Sequence, residues 1–137
     1  MNDKELIRAA FAAREYAYTP YSHFKVGAAL LTKSGKVYTG CNIECATFSP
    51  TNCAERTALF KAVSEGERAF SAIAVVGAKD GAPDDALITS PCGVCRQMLY
   101  EFCGPALRVI MAKSEDDYVE ETLGALLPHG FGPEKVL

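Results

Sequence analysis

Long apolar runs, basic residues and histidine are all scarce in this sequence, and each scarcity argues against a class of protein or a kind of site. No apolar stretch approaches the roughly 20 residues that a helix needs to cross a bilayer, so we expect no membrane partner. Acidic residues outnumber basic ones, 17 to 14, for a net charge of −3, which argues against a protein that binds the phosphate backbone of nucleic acids. Histidine occurs only twice. His23 and His129 lie far from every cysteine and offer no ligand spacing for a metal.

The composition of the chain is typical of one globular domain. Its 137 residues, 49% hydrophobic and 23% charged, are enough to bury a core without disulfides. Because no internal repeat, low-complexity tract or linker interrupts it, we assign residues 1–137 to a single domain. The start of the chain, MNDKELIRAAF, is too charged for the apolar core of a signal peptide, so we expect a cytoplasmic location, where the six cysteines would be reduced.

Hydrophobic periodicity predicts an α/β fold. Helical spacing of apolar residues indicates helices over residues 3–18, from after Pro50 to near Gly66, and from after Pro91 to about Cys103. Continuous apolar runs indicate buried strands at 26–31, 73–77 and 107–111, the first with a hairpin partner at 37–40. Residues 120–127 are predicted to add a short helix. The order α-β-β-α-β-α-β implies a mixed sheet with helices packed on its faces.

Cysteines stand at the starts of the second and third predicted helices. Cys92 and Cys95 form a Cys-x-x-Cys, whose spacing places both sulfurs on one face of a first helical turn. Cys53 is the best third ligand, because its helix is predicted to follow a strand in the same way. Three thiolates leave the fourth tetrahedral position of a zinc ion open for water, which is the pattern of a catalytic site.

Glu55 and Arg56 follow Cys53 closely and have roles in such a site. Residues two apart on a helix point about 200° away from each other, so Cys53 and Glu55 converge only on an ion that lies beyond the helix end. Glu55 then contacts the water of the metal and moves its proton. Zinc with three thiolates carries a net negative charge. The two helix N-termini offset part of it, and Arg56 is predicted to offset more by donating hydrogen bonds to the thiolates.

The cysteines alone leave other interpretations open. A Cys-x-x-Cys also occurs as a dithiol redox pair, although here the proline precedes the pair and the upstream strand pattern of a thioredoxin-like motif is missing. A structural zinc site would need a fourth Cys or His at ligand spacing. A lone cysteine is most often an inert buried residue, and we interpret Cys41, Cys45 and Cys103 in that way.

Five segments, in their order along the chain, resemble the small homotetrameric, zinc-dependent cytidine deaminases of the cytidine and deoxycytidylate deaminase family. They are FKVGAALL (24–31), GCNIE (40–44), CAERTALFKAVSEG (53–66), SPCGVCRQ (90–97) and LLPHGFGPE (126–134). The Cys-Ala-Glu and Pro-Cys-x-x-Cys parts match the zinc deaminase signature, with Cys in place of His. The resemblance implies a three-layer α/β sandwich, in which a mixed five-stranded sheet carries helices on both faces.

The resemblance also implies a role for each matching residue. Cys53, Cys92 and Cys95 match the ligands of one Zn²⁺ per subunit, Glu55 the catalytic proton shuttle, and Arg56 an arginine that contacts the thiolates. Phe24 matches the aromatic residue that packs against the nucleoside, and Asn42 and Glu44 match the pair that binds the ribose hydroxyls. The backbone of Ala54 and Ser90 matches the groups that bind the pyrimidine edge. Phe131 matches an aromatic residue that a neighbouring subunit of the homotetramer contributes to the pocket.

The expected activity is hydrolytic deamination of free cytidine and deoxycytidine to uridine and deoxyuridine plus ammonia, in pyrimidine salvage, by zinc-bound hydroxide with Glu55 as proton shuttle. The alternatives are a deaminase of a related aminonucleoside, an enzyme that edits polynucleotide bases, and a non-catalytic module stabilised by zinc. Asn42 and Glu44 suit a plain ribose, which disfavours the related aminonucleoside. The excess of acidic residues disfavours an enzyme that edits polynucleotides. The open ligand position and Glu55 disfavour a non-catalytic zinc module.

Overall fold

The chain alternates five strands with four helices in a computed structural model that describes all 137 residues. The strands are β1 (Phe24–Thr32), β2 (Val37–Cys41), β3 (Phe70–Lys79), β4 (Arg108–Ala112) and β5 (Tyr118–Thr122). The helices are α1 (Asp3–Arg14), α2 (Ala54–Ser64), α3 (Gly93–Cys103) and α4 (Leu123–Leu126), and a 3₁₀ turn follows at Pro133–Lys135. None of the helices has the length and apolar character needed to span a membrane.

All five strands belong to one mixed sheet, in the order β2-β1-β3-β4-β5. Strand β1 pairs antiparallel with β2 and β3, β3 and β4 run parallel, and β5 is antiparallel to β4. The parallel pair is joined through α3, as parallel strands require a crossover connection. The mixed five-stranded sheet is therefore as predicted.

Helices cover both faces of this sheet. On one face, apolar residues of α1 pack against β1, β3 and β4, with Leu6 and Ile7 fully buried there. On the other face, Leu59 of α2 and Leu99 of α3 pack against the alternate residues of the same strands. Because the central strands are covered on both sides, their sequences are continuous apolar runs rather than alternating ones. The predicted three-layer α/β architecture is confirmed.

The first helix begins where predicted and ends earlier. The Oδ1 atom of Asn2 caps it by accepting the N–H three residues later at 2.9 Å. The helix ends at Arg14 and not near residue 18, because Tyr18 pairs with another part of the chain. The Tyr18 N–H donates to the carbonyl of Asn42 at 3.0 Å, and the Tyr18 carbonyl accepts from the N–H of Glu44 at 2.9 Å. Tertiary pairing has replaced the last predicted helical turn.

The prediction of one short helix over residues 120–127 is wrong in its first part. Residues 118–122 form the edge strand β5, and only Leu123–Leu126 is helical. All five residues of β5 are exposed, so no alternation of buried and exposed side chains marks the strand in the sequence. Its pairing with β4 is reinforced by Arg108, which donates to the two carboxylate oxygens of Glu120 at 3.0 and 2.7 Å.

A close backbone approach at Gly40 positions α2 on the sheet. A Cβ atom on Gly40 of β2 would lie 2.5 Å from the carbonyl oxygen of Ala54 and 2.5 Å from the nitrogen of Ala58. Only glycine leaves room for this contact. The first turn of α2, with the residues around it, is therefore held directly against β2.

Candidate metal centre

Helices α2 and α3 each begin with a cysteine. Cys53 is the N-cap of α2 and Cys92 the N-cap of α3, both with extended backbone. Neither side chain makes the hydrogen bond to the helix that a capping residue would make, so both sulfurs are available to another partner. Cys95 follows in the first turn of α3 and is fully buried.

The three sulfurs converge on one point. Their Sγ atoms all lie within 4.8 Å of one another, and those of Cys53 and Cys92 are 3.8 Å apart. Two sulfurs on a tetrahedral zinc ion, each about 2.3 Å from the metal, lie about 3.8 Å from each other. The three cysteines therefore fit zinc, and a set of three protein ligands leaves the fourth position open.

Arg56 contacts the sulfur cluster, as the charge argument predicts. Its Nη2 donates a hydrogen bond to the Sγ of Cys53 at 3.4 Å. Hydrogen bonds from Cys95, Arg56 and Cys92 lower the pKa of Cys53 to about 5, whereas the hydrogen bond with Cys53, together with burial, raises the pKa of Cys95. The Arg56 guanidinium therefore lies where it stabilises the thiolate form of Cys53.

Glu55 is buried beside the sulfurs. Only 4% of its surface is exposed, and this burial, together with the negative charge of Cys53, raises its pKa to about 7. A carboxyl group whose pKa lies near neutrality can both accept and release a proton under ordinary conditions. It lies in the first turn of α2, and Cys53 stands just before the helix.

Cys53, Cys92 and Glu55 line a cavity of about 190 Å³. Nine residues line it: Phe24, Val26, Asn42, Cys53, Ala54, Glu55, Thr89, Ser90 and Cys92. Sites that enclose a small molecule usually measure about 300–1,000 Å³. The cavity of the single chain is smaller than such sites.

Four of the predicted nucleoside-binding residues line this cavity, namely Phe24, Asn42, Ala54 and Ser90. The side chain of Asn42 is already bound to β1, because its Oδ1 accepts from the N–H of Val26 at 2.9 Å and its Nδ2 donates to the carbonyl of Phe24 at 2.8 Å. An amide group offers two donors and two lone pairs. One donor and one lone pair of Asn42 therefore remain for a ligand.

The other two predicted nucleoside-binding residues, Glu44 and Phe131, do not line this cavity. Glu44 lies in a separate cavity of about 350 Å³, where its Oε1 accepts from the N–H groups of Tyr21 and Ser22 at 3.0 and 3.1 Å. Phe131 belongs to the C-terminal segment and is 61% exposed, and its carbonyl accepts from Gln97 of α3 at 2.7 Å. A single chain does not bring all of the predicted residues together.

Two residues of the cavity were not predicted from the sequence. Val26 belongs to the continuous apolar run of β1, which carries no mark of function. Thr89 immediately precedes the SPCGVC motif, and this position beside the motif is the one feature of the sequence that points to it as a cavity residue. Threonine is common in loops, where its hydroxyl often bonds the local backbone, so the residue type alone does not indicate a site.

Comparisons with known proteins agree with this geometry. Residues 1–113 match the family model described as the cytidine and deoxycytidylate deaminase zinc-binding region. Over 134 residues the chain is 49% identical to the cytidine deaminase of Sporosarcina psychrophila (98% of this chain, 94% of the relative) and 49% identical to that of Halalkalibacterium halodurans (98% and 97%). A crystal structure of cytidine deaminase from Burkholderia pseudomallei superposes with a TM-score of 0.86 at 50% identity, covering 96% of this chain and 100% of the other.

We expect Cys95→Ser to abolish stoichiometric zinc binding, because a serine hydroxyl does not ionise near neutral pH as a thiol ligand does. Cys103→Ser is the matched control on the same helix. Its thiol lies outside the cluster, with a pKa that burial raises to about 12, and this variant should keep one zinc ion per chain. Atomic emission after exhaustive dialysis measures both. Equal zinc contents in the two variants would remove Cys95 from the ligand set.

Proposed function

The chain belongs to the cytidine and deoxycytidylate deaminase family, and from that premise we propose that it hydrolyses free cytidine and deoxycytidine to uridine and deoxyuridine, with release of ammonia. The observation that carries this proposal is the buried carboxyl group of Glu55 beside three sulfurs that fit zinc, with Glu55, Cys53 and Cys92 lining one cavity. In this proposal residues 1–137 act as one catalytic domain, in cytoplasmic pyrimidine salvage.

Zinc is the cofactor of this family, and Cys53, Cys92 and Cys95 are the residues that would hold it. When bound, the ion supplies Lewis acidity, which makes water a nucleophile at neutral pH. Arg56 stabilises the ionised form of Cys53 through its hydrogen bond. The chain thereby keeps a thiolate ready as a ligand.

Glu55 carries the protons of the reaction. It takes one proton from the attacking water and delivers it to N3 of the pyrimidine, while a carbon–oxygen bond forms at C4. It then moves the second proton from the new hydroxyl group to the amino group, the C4–N bond breaks, and ammonia leaves. Both transfers need a carboxyl group that ionises near neutral pH, and the burial of Glu55 raises its pKa into that range.

The other residues of the cavity hold the nucleoside. The ring of Phe24 offers an apolar wall for the base, and in the proposal the backbone of Ala54 and Ser90, which line the same cavity, binds the pyrimidine edge. Asn42 retains one donor and one lone pair for a ribose hydroxyl. Glu44 lies outside this cavity; in the proposal, the carboxylate oxygen that accepts no backbone N–H group is the acceptor for a second ribose hydroxyl.

A homotetramer would complete each site. Phe131 is exposed, the cavity of one chain is small, and an apolar surface surrounds the neighbouring cavity of Glu44. In that surface the rings of Tyr21 and Phe48 meet edge to face at 5.6 Å, with 47% and 70% of these residues exposed. Contiguous exposed apolar surface commonly marks a protein interface. We infer that Phe131 of one subunit enters the pocket of a neighbour.

The substrate class is tested by incubating the zinc-loaded protein with cytidine, deoxycytidine, cytidine monophosphate, an aminonucleoside and a single-stranded oligonucleotide. We expect uridine and deoxyuridine from the two free nucleosides, as measured by chromatography and ammonia release, and no product from the oligonucleotide. A zinc-replete protein that leaves cytidine unchanged would refute the proposed function. Turnover of the aminonucleoside alone would replace it with the related activity.

We expect Glu55→Gln to lower kcat by about 10²- to 10⁴-fold, because an amide cannot shuttle a proton. Zinc content and cytidine binding should persist, since the side chain keeps its size and does not ligate the metal. Glu65→Gln, at the exposed end of the same helix, is the control and should match the unmodified protein. Steady-state kinetics and calorimetric binding give the two readouts. Comparable kcat values in both variants would exclude Glu55 as the shuttle.

We expect Phe131→Ala to raise KM about tenfold with little change in kcat, because the loss removes an aromatic contact with the nucleoside. Mixing this variant with Glu55→Gln under conditions that exchange subunits provides the sharper test. Hybrid molecules contain sites with an intact Glu55 and a Phe131 from the neighbouring chain, so KM should return to its original value in part of the population. If mixing restores nothing, Phe131 does not act across an interface.

A further inference from the structure

Thr89 occupies the wall of the cavity without a role in the reaction described above. It lies in the loop between β3 and α3, three residues before Cys92 and next to Ser90. The residue is half-buried and lines the same cavity as Phe24 and Glu55. The residue is thus beside the groups that surround the substrate in the proposed function.

The Oγ1 atom of Thr89 is buried and makes no hydrogen bond within the chain. It is the only buried hydroxyl oxygen without a hydrogen-bond partner, since the two other unpaired buried side-chain atoms are nitrogens of Arg14 and Arg56. Leaving a buried hydroxyl unpaired costs free energy, whereas an apolar group of the same shape carries no such cost. Valine has that shape. A threonine at this position therefore indicates a partner that the folded chain does not itself supply.

The packing around Thr89 places its hydroxyl next to the ring of Phe24. A Cβ atom added to Gly77 of β3 would lie 2.5 Å from the Oγ1 of Thr89 and 3.0 Å from Cε1 of Phe24. The two side chains thus lie side by side in the space that glycine leaves open on the strand. Because Phe24 packs against the base in the proposed function, the Thr89 side chain stands next to that contact.

We propose that Thr89 is a specificity-determining residue whose hydroxyl hydrogen-bonds the bound pyrimidine nucleoside. This inference rests on the proposed function, because it takes the nucleoside as the missing partner. A hydroxyl group can donate and accept, and the Thr89 side chain reaches the cavity by rotating between staggered rotamers. Binding then satisfies the group that is unpaired in the free chain, and the enzyme gains affinity for substrates with a polar atom at that point.

Thr89→Val and Thr89→Ser are the variants that test this role. Thr89→Val should raise KM for cytidine roughly three- to tenfold, the range expected for one neutral hydrogen bond, while kcat stays within about twofold. The melting temperature of the ligand-free protein should rise, because the unpaired hydroxyl is gone. Thr89→Ser keeps the hydroxyl and should return KM close to its original value.

Thr39→Val serves as the matched control, since Thr39 lies in β2 outside the cavity and makes no side-chain hydrogen bond. Its KM should not change. Zinc content per chain verifies that all variants keep an intact centre. An unchanged KM in Thr89→Val, or an equal rise in Thr89→Ser, would overturn the role of the hydroxyl while the deaminase activity of the unmodified chain stands. A chain inert on cytidine would overturn both proposals.

Discussion

The site depends on the meeting of two helix N-termini, which brings three cysteine sulfurs within reach of one ion. A dication with three thiolates carries an excess of negative charge, and concentrating that charge in a partly buried place is unfavourable unless it is compensated. Each helix N-terminus is equivalent to roughly half a positive charge. The guanidinium of Arg56, which donates a hydrogen bond to Cys53, adds a full positive charge nearby. These groups therefore compensate part of the charge of the three sulfurs.

The sheet holds the two helix ends in place. Helix α2 lies directly on β2 because Gly40 has no side chain, and α3 lies in the connection that joins the parallel strands β3 and β4. The same packing buries Glu55, and burial is the main reason for its raised pKa. One structural arrangement therefore supplies both the convergence of the three sulfurs and a buried carboxyl group whose pKa lies near neutrality.

The surface of the chain is consistent with a site that spans more than one subunit. Phe131, Tyr21 and Phe48 are all exposed, and Glu44 faces a cavity separate from that of Glu55. Bringing aromatic surface from a second chain over these residues would bury apolar area and enlarge the enclosed volume at the same time. Assembly and substrate binding would then draw on the same residues.

The sequence by itself determined the three helices that carry or face the core, four of the five strands, and the cluster of Cys53, Glu55, Arg56, Cys92 and Cys95. Periodicity and motif spacing encode these features locally. Strand β5 escaped detection because all of its residues are exposed and only pairing with β4 makes it a strand. The tertiary structure alone decided the burial of Glu55, the separation of Glu44 from the cavity, and the unpaired hydroxyl of Thr89. Each of these depends on contacts between residues distant in the chain, which no local pattern records.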